Sequence, residues 1–260
     1  MIGIIGGSGL YDMEGLHPRE VRRIMTPYGA PSDEYRMCHV AGREVIFLPR
    51  HGARHHIPPH KINYRANIWG FKDLGVKRII SIGATGGIRP GLIPGDIVVP
   101  DQILDVTSGR EETFYQGEEG VIHIDFTEPY CPVVRNAILK AGQESAISLH
   151  AAGTYVCVNG PRLETRAEIK AYSVLGADVV GMTAMPEAAL ARETGLCYGG
   201  IAVVTNFAAG MTAKKLTATE VIMCMNKAAA QVKTILRGMI PLIPAVRECA
   251  CGDAMRDAKV

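Results

Sequence analysis

The chain has 260 residues, 47% of them hydrophobic and 21% charged, and a net charge of +2. That is a globular balance, and the charge is too small to draw the chain to nucleic acid or to a membrane surface. No stretch approaches the roughly 18 apolar residues of a membrane span, and the N-terminus shows no secretory signal pattern, so a soluble cytoplasmic protein is expected.

The first apolar run, residues 2–5, is short and β-branched and leads directly into Gly6-Gly7-Ser8-Gly9. Glycines there let backbone N–H groups approach an anion, and Ser8 adds a hydroxyl donor. The pattern matches neither the dinucleotide fingerprint nor the P-loop, so a plain strand-to-loop turn stays open. The next run, residues 44–48, ends at Arg50-His51-Gly52. Ligands of open α/β sheets bind at such C-terminal strand ends, and the arginine fork suits phosphate oxygens. Arg54, His55, His56 and His60 follow at irregular spacing broken by prolines, which argues against a metal site. A helix is predicted over 61–74 and a strand over 78–82, ending in Gly83-Ala84-Thr85-Gly86-Gly87, read as a third glycine-rich turn. Three such loops at strand ends, one with arginine and histidine, predict a shared phosphate site.

Further strands are predicted at 95–99, 153–158, 177–180 and 198–204, and helices at 132–141, 165–174, 186–193 and 217–236. Pro132 suits a first helical turn, and Thr217-x-x-Glu220 is a capping-box pattern. Continuous rather than alternating apolar runs suit strands buried on both faces. The fold class is therefore α/β: a single domain over 1–248, a central mixed β-sheet flanked by helices. A small polar tail, 249–260, is expected to be loosely held. The seven cysteines read as thiols of a reducing compartment. Cys249-x-Cys251 lacks the second half of a zinc site, so no metal is expected, while a disulfide or redox role for the pair stays open.

Five segments carry a family resemblance: Gly6-Gly7-Ser8-Gly9, Arg50-His51-Gly52, Asn63-Tyr64-Arg65-Ala66-Asn67, Gly160-Pro161-Arg162-Leu163-Glu164-Thr165 and Gly181-Met182-Thr183-Ala184-Met185-Pro186-Glu187. Together they resemble the purine nucleoside phosphorylases, nearest the methylthioadenosine phosphorylase-like subfamily. The resemblance implies the nucleoside phosphorylase fold and a homotrimer or homohexamer. It also implies a purine nucleoside and inorganic phosphate as co-substrates, with no metal or organic cofactor. It assigns phosphate to Ser8, Arg50, His51, Ala84 and Thr183. Base and ribose fall to Gly83, Leu163, Glu164, Met182, Asn206 and Ala208, and catalysis to Asn206 with Arg50 and His51. The 5′ pocket falls to Val221, Ile222 and His123, the last lent by a neighbouring subunit. Glu164, Thr165, Asn206 and Ala218 are the specificity positions.

Adenine-specific members of that family carry aspartates where Asn206 and Ala208 stand here. An amide donates to O6 or N7 of a 6-oxopurine, whereas an aspartate would oppose O6 acceptor to acceptor. Glu164 would accept from N1–H, in a Gly-Pro-x-Phe-Glu-Thr motif matched here except at Leu163. The expected substrate is inosine, guanosine or 5′-methylthioinosine; the alternative is a methylthioadenosine phosphorylase acting on adenine nucleosides. Two blander readings stay open, Glu164 as a helix-terminal charge and Asn206 as a loop residue satisfying its own backbone. Whether the 5′ group is hydroxyl or methylthio also stays open.

Overall fold

The computed structural model describes residues 1–7, 18–118, 120–213 and 216–260. Ser8 therefore lies outside the described residues. In chain order the elements are β1 (Ile2–Gly6), β2 (Glu20–Arg22), β3 (Tyr35–Val40), β4 (Arg43–Pro49), α1 (Tyr64–Asp73), β5 (Arg78–Gly87), β6 (Ile97–Val98), β7 (Gln102–Asp105) and α2 (Pro132–Glu144). They continue with β8 (Thr154–Cys157), α3 (Arg166–Val174), β9 (Val179–Gly181), α4 (Ala184–Glu193), β10 (Cys197–Phe207) and α5 (Ala218–Leu242).

The sheet runs β2-β3-β4-β1-β5-β9-β8-β7, with β10 paired to β5 and β6. It is mixed: β4, β1, β5 and β10 run parallel to one another, while β3 pairs antiparallel with β4, β9 with β5 and β6 with β10. Every residue of β1 is buried, and all of β10 up to Thr205 is buried too. Strands so placed need helices on both faces. Val134 and Ile138 of α2, with Val232, Ile235 and Leu236 of α5, pack on Ile4, Ile80, Ile82 and Val203. Ile68 and Phe71 of α1, with Ala188 and Leu190 of α4, cover Ile5, Leu48, Ile79 and Val204 on the other side. Among the described residues no helix is long and apolar enough to cross a membrane.

Two expectations are corrected here. Residues 83–87 do not turn; they extend β5, and β10 pairs with it from Arg78 through Gly87. The glycines serve strand contact instead. A Cβ on Gly86 would stand 3.1 Å from Val180 Cγ1, and one on Gly87 would stand 3.1 Å from Val204 Cγ1. Nor is the C-terminal tail loose. Cys251 and Ala258 are buried, Ile122 bridges Lys259, and His123 N and Val260 N donate to Ala258 O and Val121 O.

Because β10 occupies one edge of β5 throughout, β1 and β9 share the other. Strand β1 pairs as far as Ile82 and β9 begins at Gly86, which leaves Gly83, Ala84 and Thr85 unpaired on that edge. This gap positions the candidate site.

Candidate active site

The gap is the place for an anion because its groups have no competing partner in the sheet. Gly83 is partly exposed and Ala84 exposed, so backbone faces solvent between two strand ends. The Thr183 hydroxyl lies 3.8 Å from where a Cβ on Gly83 would stand. Thr183 is the N-cap of α4, yet its side chain makes no capping bond. Its hydroxyl stands beside the gap, within hydrogen-bond reach of Tyr155, and the regular helix begins only after Met185, whose backbone is extended. Behind Thr183 and Gly83 lies a cavity of about 20 Å³ lined by Ser81, Tyr130, Tyr155 and Tyr198. That is room for one water and too small for a phosphate ion.

His51 comes to the same place from the end of β4. Its ring edge stands 3.5 Å from a Cβ position on Gly7. Nδ1 lies 2.8 Å from Ile57 O. A carbonyl only accepts, so Nδ1 carries the proton and Nε2 is the ring's other face to a ligand. Burial, then the neighbouring Arg50 charge, lowers the His51 pKa to about 4. The ring is neutral near pH 7.

Arg50 is placed differently from the expectation of an open phosphate fork. It is 1% exposed. Its Nε donates to Glu187 at 2.5 Å, Nη1 to Ile82 O at 3.0 Å, and Nη2 to Ser81 Oγ at 2.7 Å and Ile5 O at 3.3 Å. Burial alone would lower its pKa, but the Glu187 carboxylate more than offsets this and the guanidinium stays charged. Glu187 also accepts from Ser81 and from Tyr198 at 2.9 Å. Arg50 thus clamps the end of β1 to the middle of β5 beside the gap, leaving one Nη1 hydrogen outside these bonds. Glu187 received no role from the sequence, and neither did Arg110. Arg110 bonds the carbonyls of Met185, Val158 and Asn159 and the Tyr64 hydroxyl, while its buried Nε finds no partner among the described residues. Tyr64 in turn reaches Met182 O at 3.4 Å, so the pair steadies the 182–185 segment. Arg110 lies in none of the motifs read from the sequence, and Glu187 closes one of them without a role. Their partners are main-chain groups, or lie far off in sequence.

The residues assigned to the base gather where β10 leaves the sheet. Asn206 sits within β10 at a register shift. Its Oδ1 accepts from Thr205 Oγ1 at 2.9 Å, and its Nδ2 donates to Phe207 O at 2.9 Å. The local-backbone reading is therefore half right. One Nδ2 hydrogen is used within the chain, the bonds fix which end of the amide is the donor, and a second hydrogen remains. Ala208 is 2% exposed among Val158, Ile169 and Val180, with Met182 packed against them. It lines apolar interior, not open surface. Arg166 at the start of α3 lies against Gly210, which brings the 163–166 segment to the segment after β10. Thr165 is the N-cap of α3, in a reciprocal capping box with Glu168. The helix-terminal acid is thus Glu168, and Glu164 stands outside the cap. Glu164 is half-buried, and burial raises its pKa above the usual carboxylate value. Leu163 is 44% exposed.

At the start of α5, Ala218 is exposed, Val221 half-buried and Ile222 50% exposed, so these are not core residues. His123 is exposed on the segment bridged to the C-terminal tail. Arg54, His55, His56 and His60 are exposed as well. Among the described residues the one set of side chains able to hold a metal ion is four cysteines, none of them in this site.

The family model described as the phosphorylase superfamily matches residues 1–241. The chain is 51% identical to a 6-oxopurine nucleoside phosphorylase of Pyrococcus furiosus, covering 99% of this chain and 98% of the relative. It is 46% identical to an S-methyl-5′-thioadenosine phosphorylase of Thermofilum pendens, covering 100% and 98%. The solved structure of methylthioadenosine phosphorylase from Schistosoma mansoni in complex with adenine superposes with a TM-score of 0.94 at 36% identity, covering 99% and 98%.

Proposed function

This chain belongs to the phosphorylase superfamily and is a purine nucleoside phosphorylase; we propose that it acts on 6-oxopurine nucleosides, giving the free base and a ribose 1-phosphate. Inorganic phosphate occupies the gap at Gly83 and Ala84, against Thr183 Oγ1 and His51 Nε2. A phosphate oxygen attacks C1′ as the C1′–N9 bond breaks, and the bond electrons leave with the purine. The site holds the attacking anion and stabilises the departing one, which is positioning and electrostatics without a covalent enzyme intermediate.

The observation that carries the base assignment is the orientation of Asn206. Phe207 O accepts only, so the group beside it is Nδ2, and the remaining N–H is offered to O6, the acceptor that distinguishes a 6-oxopurine from adenine. Adenine presents an amino donor in place of O6, and donor facing donor costs about 1–3 kcal/mol. Glu164, free of the helix cap, accepts from N1–H. The 51% identical relative bears a 6-oxopurine name, while two other similar proteins are named for methylthioadenosine. The half-exposed Val221 and Ile222 favour an apolar 5′-methylthio group, which makes 5′-methylthioinosine a substrate alongside inosine and guanosine.

The test is phosphorolysis of inosine, 5′-methylthioinosine and 5′-methylthioadenosine by the wild-type chain and by Asn206→Asp. The wild type is expected to favour 6-oxopurines by at least about tenfold in kcat/KM, and the variant to lose that preference. A wild type that prefers methylthioadenosine overturns the base assignment.

A further inference from the structure

Cys249 and Cys251 alone offer half of a metal site, and the fold supplies the other half. Cys131 is the N-cap of α2, immediately before Pro132. Cys197 is the first residue of β10. Cys131 N donates to Tyr198 O at 2.8 Å, which locks the two elements together at their ends. The tail then brings Cys249 and Cys251 onto that junction. The four Sγ atoms lie within 4.8 Å of one another, with Cys249 Sγ 3.6 Å from Cys131 Sγ and 3.4 Å from Cys197 Sγ.

A zinc ion with Zn–S bonds of about 2.3 Å draws its four sulfurs into a tetrahedron with edges of about 3.8 Å. The two shortest contacts to Cys249 Sγ, 3.4 and 3.6 Å, fall slightly inside that edge, and no pair of the four is more than 4.8 Å apart. Three of the four cysteines are buried and Cys249 is partly exposed, and all are free thiols in this structure. An all-sulfur donor set is soft and selects zinc over magnesium or calcium. We propose that Cys131, Cys197, Cys249 and Cys251 form a structural zinc site that fastens the C-terminal tail to the sheet. Each thiol loses its proton on binding, and the closed four-ligand set leaves no position for substrate, so the ion is structural.

The consequence reaches the candidate nucleoside pocket. The tail beyond Cys251 pairs with the 121–123 segment through Ile122 and Lys259 and through His123 N and Ala258 O. Zinc at the cluster therefore holds the segment that carries His123.

The test uses the full chain purified with a thiol reductant present. Elemental analysis is expected to give about one zinc per chain. Replacement by Co²⁺ is expected to give thiolate-to-cobalt charge-transfer bands and strong tetrahedral visible bands. Both disappear in Cys131→Ser with Cys197→Ser, and separately in Cys249→Ser with Cys251→Ser. Both persist in Cys224→Ser, whose thiol lies outside the cluster. Chelation is expected to raise amide exchange at 121–123 and 251–260 while α1 stays protected, a readout independent of activity. Absence of metal, or cobalt spectra unchanged by the cluster variants, overturns the proposal. So does a protein in which only Cys38, Cys157 and Cys224 remain titratable, because the cluster is then two disulfides.

Discussion

At the scale of single residues, the site rests on two titratable groups with opposite fates. His51 is held neutral, with a pKa of about 4 against the usual 6.5. The unfolded chain takes up a proton in that window and the folded chain does not, so this residue makes stability fall as pH drops from 6.5 toward 4. The loss amounts to about 2 kcal/mol by pH 5. Urea unfolding at pH 7 and pH 5 should show a smaller difference for His51→Gln than for the wild type; equal differences would remove the assignment. Arg50 is the reverse, a charge kept in the interior by Glu187. Glu187→Gln leaves that cation without a counter-charge and is expected to destabilise by about 3–5 kcal/mol. Arg50→Met combined with Glu187→Leu should recover most of the stability, since an apolar pair can replace a buried ion pair. It should not recover phosphorolysis, because the Ile5 and Ile82 carbonyls beside the gap lose their donor. A double variant with normal turnover would show that the clamp is not needed.

At the scale of elements, cap and strand chemistry aim the loops at the site. The Thr165 hydroxyl accepts from Glu168 N at 3.1 Å, and Glu168 returns a bond to Thr165 N. Thr165→Ala should cost about 1 kcal/mol of stability. By loosening the 163–165 segment it should also raise the nucleoside KM about fivefold while the phosphate KM stays unchanged; an equal rise in both would point to general unfolding. These elements also show what the sequence makes legible. The strands buried on both faces, β1, β4, β5 and β10, write themselves as unbroken β-branched runs. The missed strands do not. Strand β2 is exposed throughout, and β3 and β7 are only partly buried, so polar residues interrupt their apolar pattern. The His51 and Thr183 motifs stand out in the sequence because each sits within a few consecutive residues. The Arg50–Glu187 pair does not, since the partners stand 137 positions apart and only the closing of β1 and β5 over α4 brings them together. The same holds for Cys131 and Cys197 beside the Cys-x-Cys pair. The glycine run at 83–87 misled because glycine serves close strand contact as readily as a turn.

At the scale of the whole molecule, the nucleoside side of the site looks unfinished within one chain. Leu163, Met211, Ile222 and Met223 are each between 42% and 55% exposed, an apolar surface around the segments assigned to base and 5′ group. His123 stands on the separate segment pinned by the tail. We propose that a second copy covers the apolar residues and contributes His123, within the homotrimer or homohexamer that the family resemblance implies. Light scattering on the purified chain measures the assembly, and a complementation experiment tests the shared site. His123→Ala is expected to weaken nucleoside binding, and Asn206→Ala to lose turnover in its own subunit. If His123 is lent across the interface, mixing the two variants and allowing subunits to exchange creates pockets with an intact Asn206 and a neighbour's intact His123. Those hybrid pockets recover a low nucleoside KM that neither parent shows. If His123 serves its own chain, every pocket in the mixture keeps one defect and the kinetics remain a simple average of the parents. The outcome also bears on the cysteine cluster, because the tail it fastens is the strand partner that holds His123 in place.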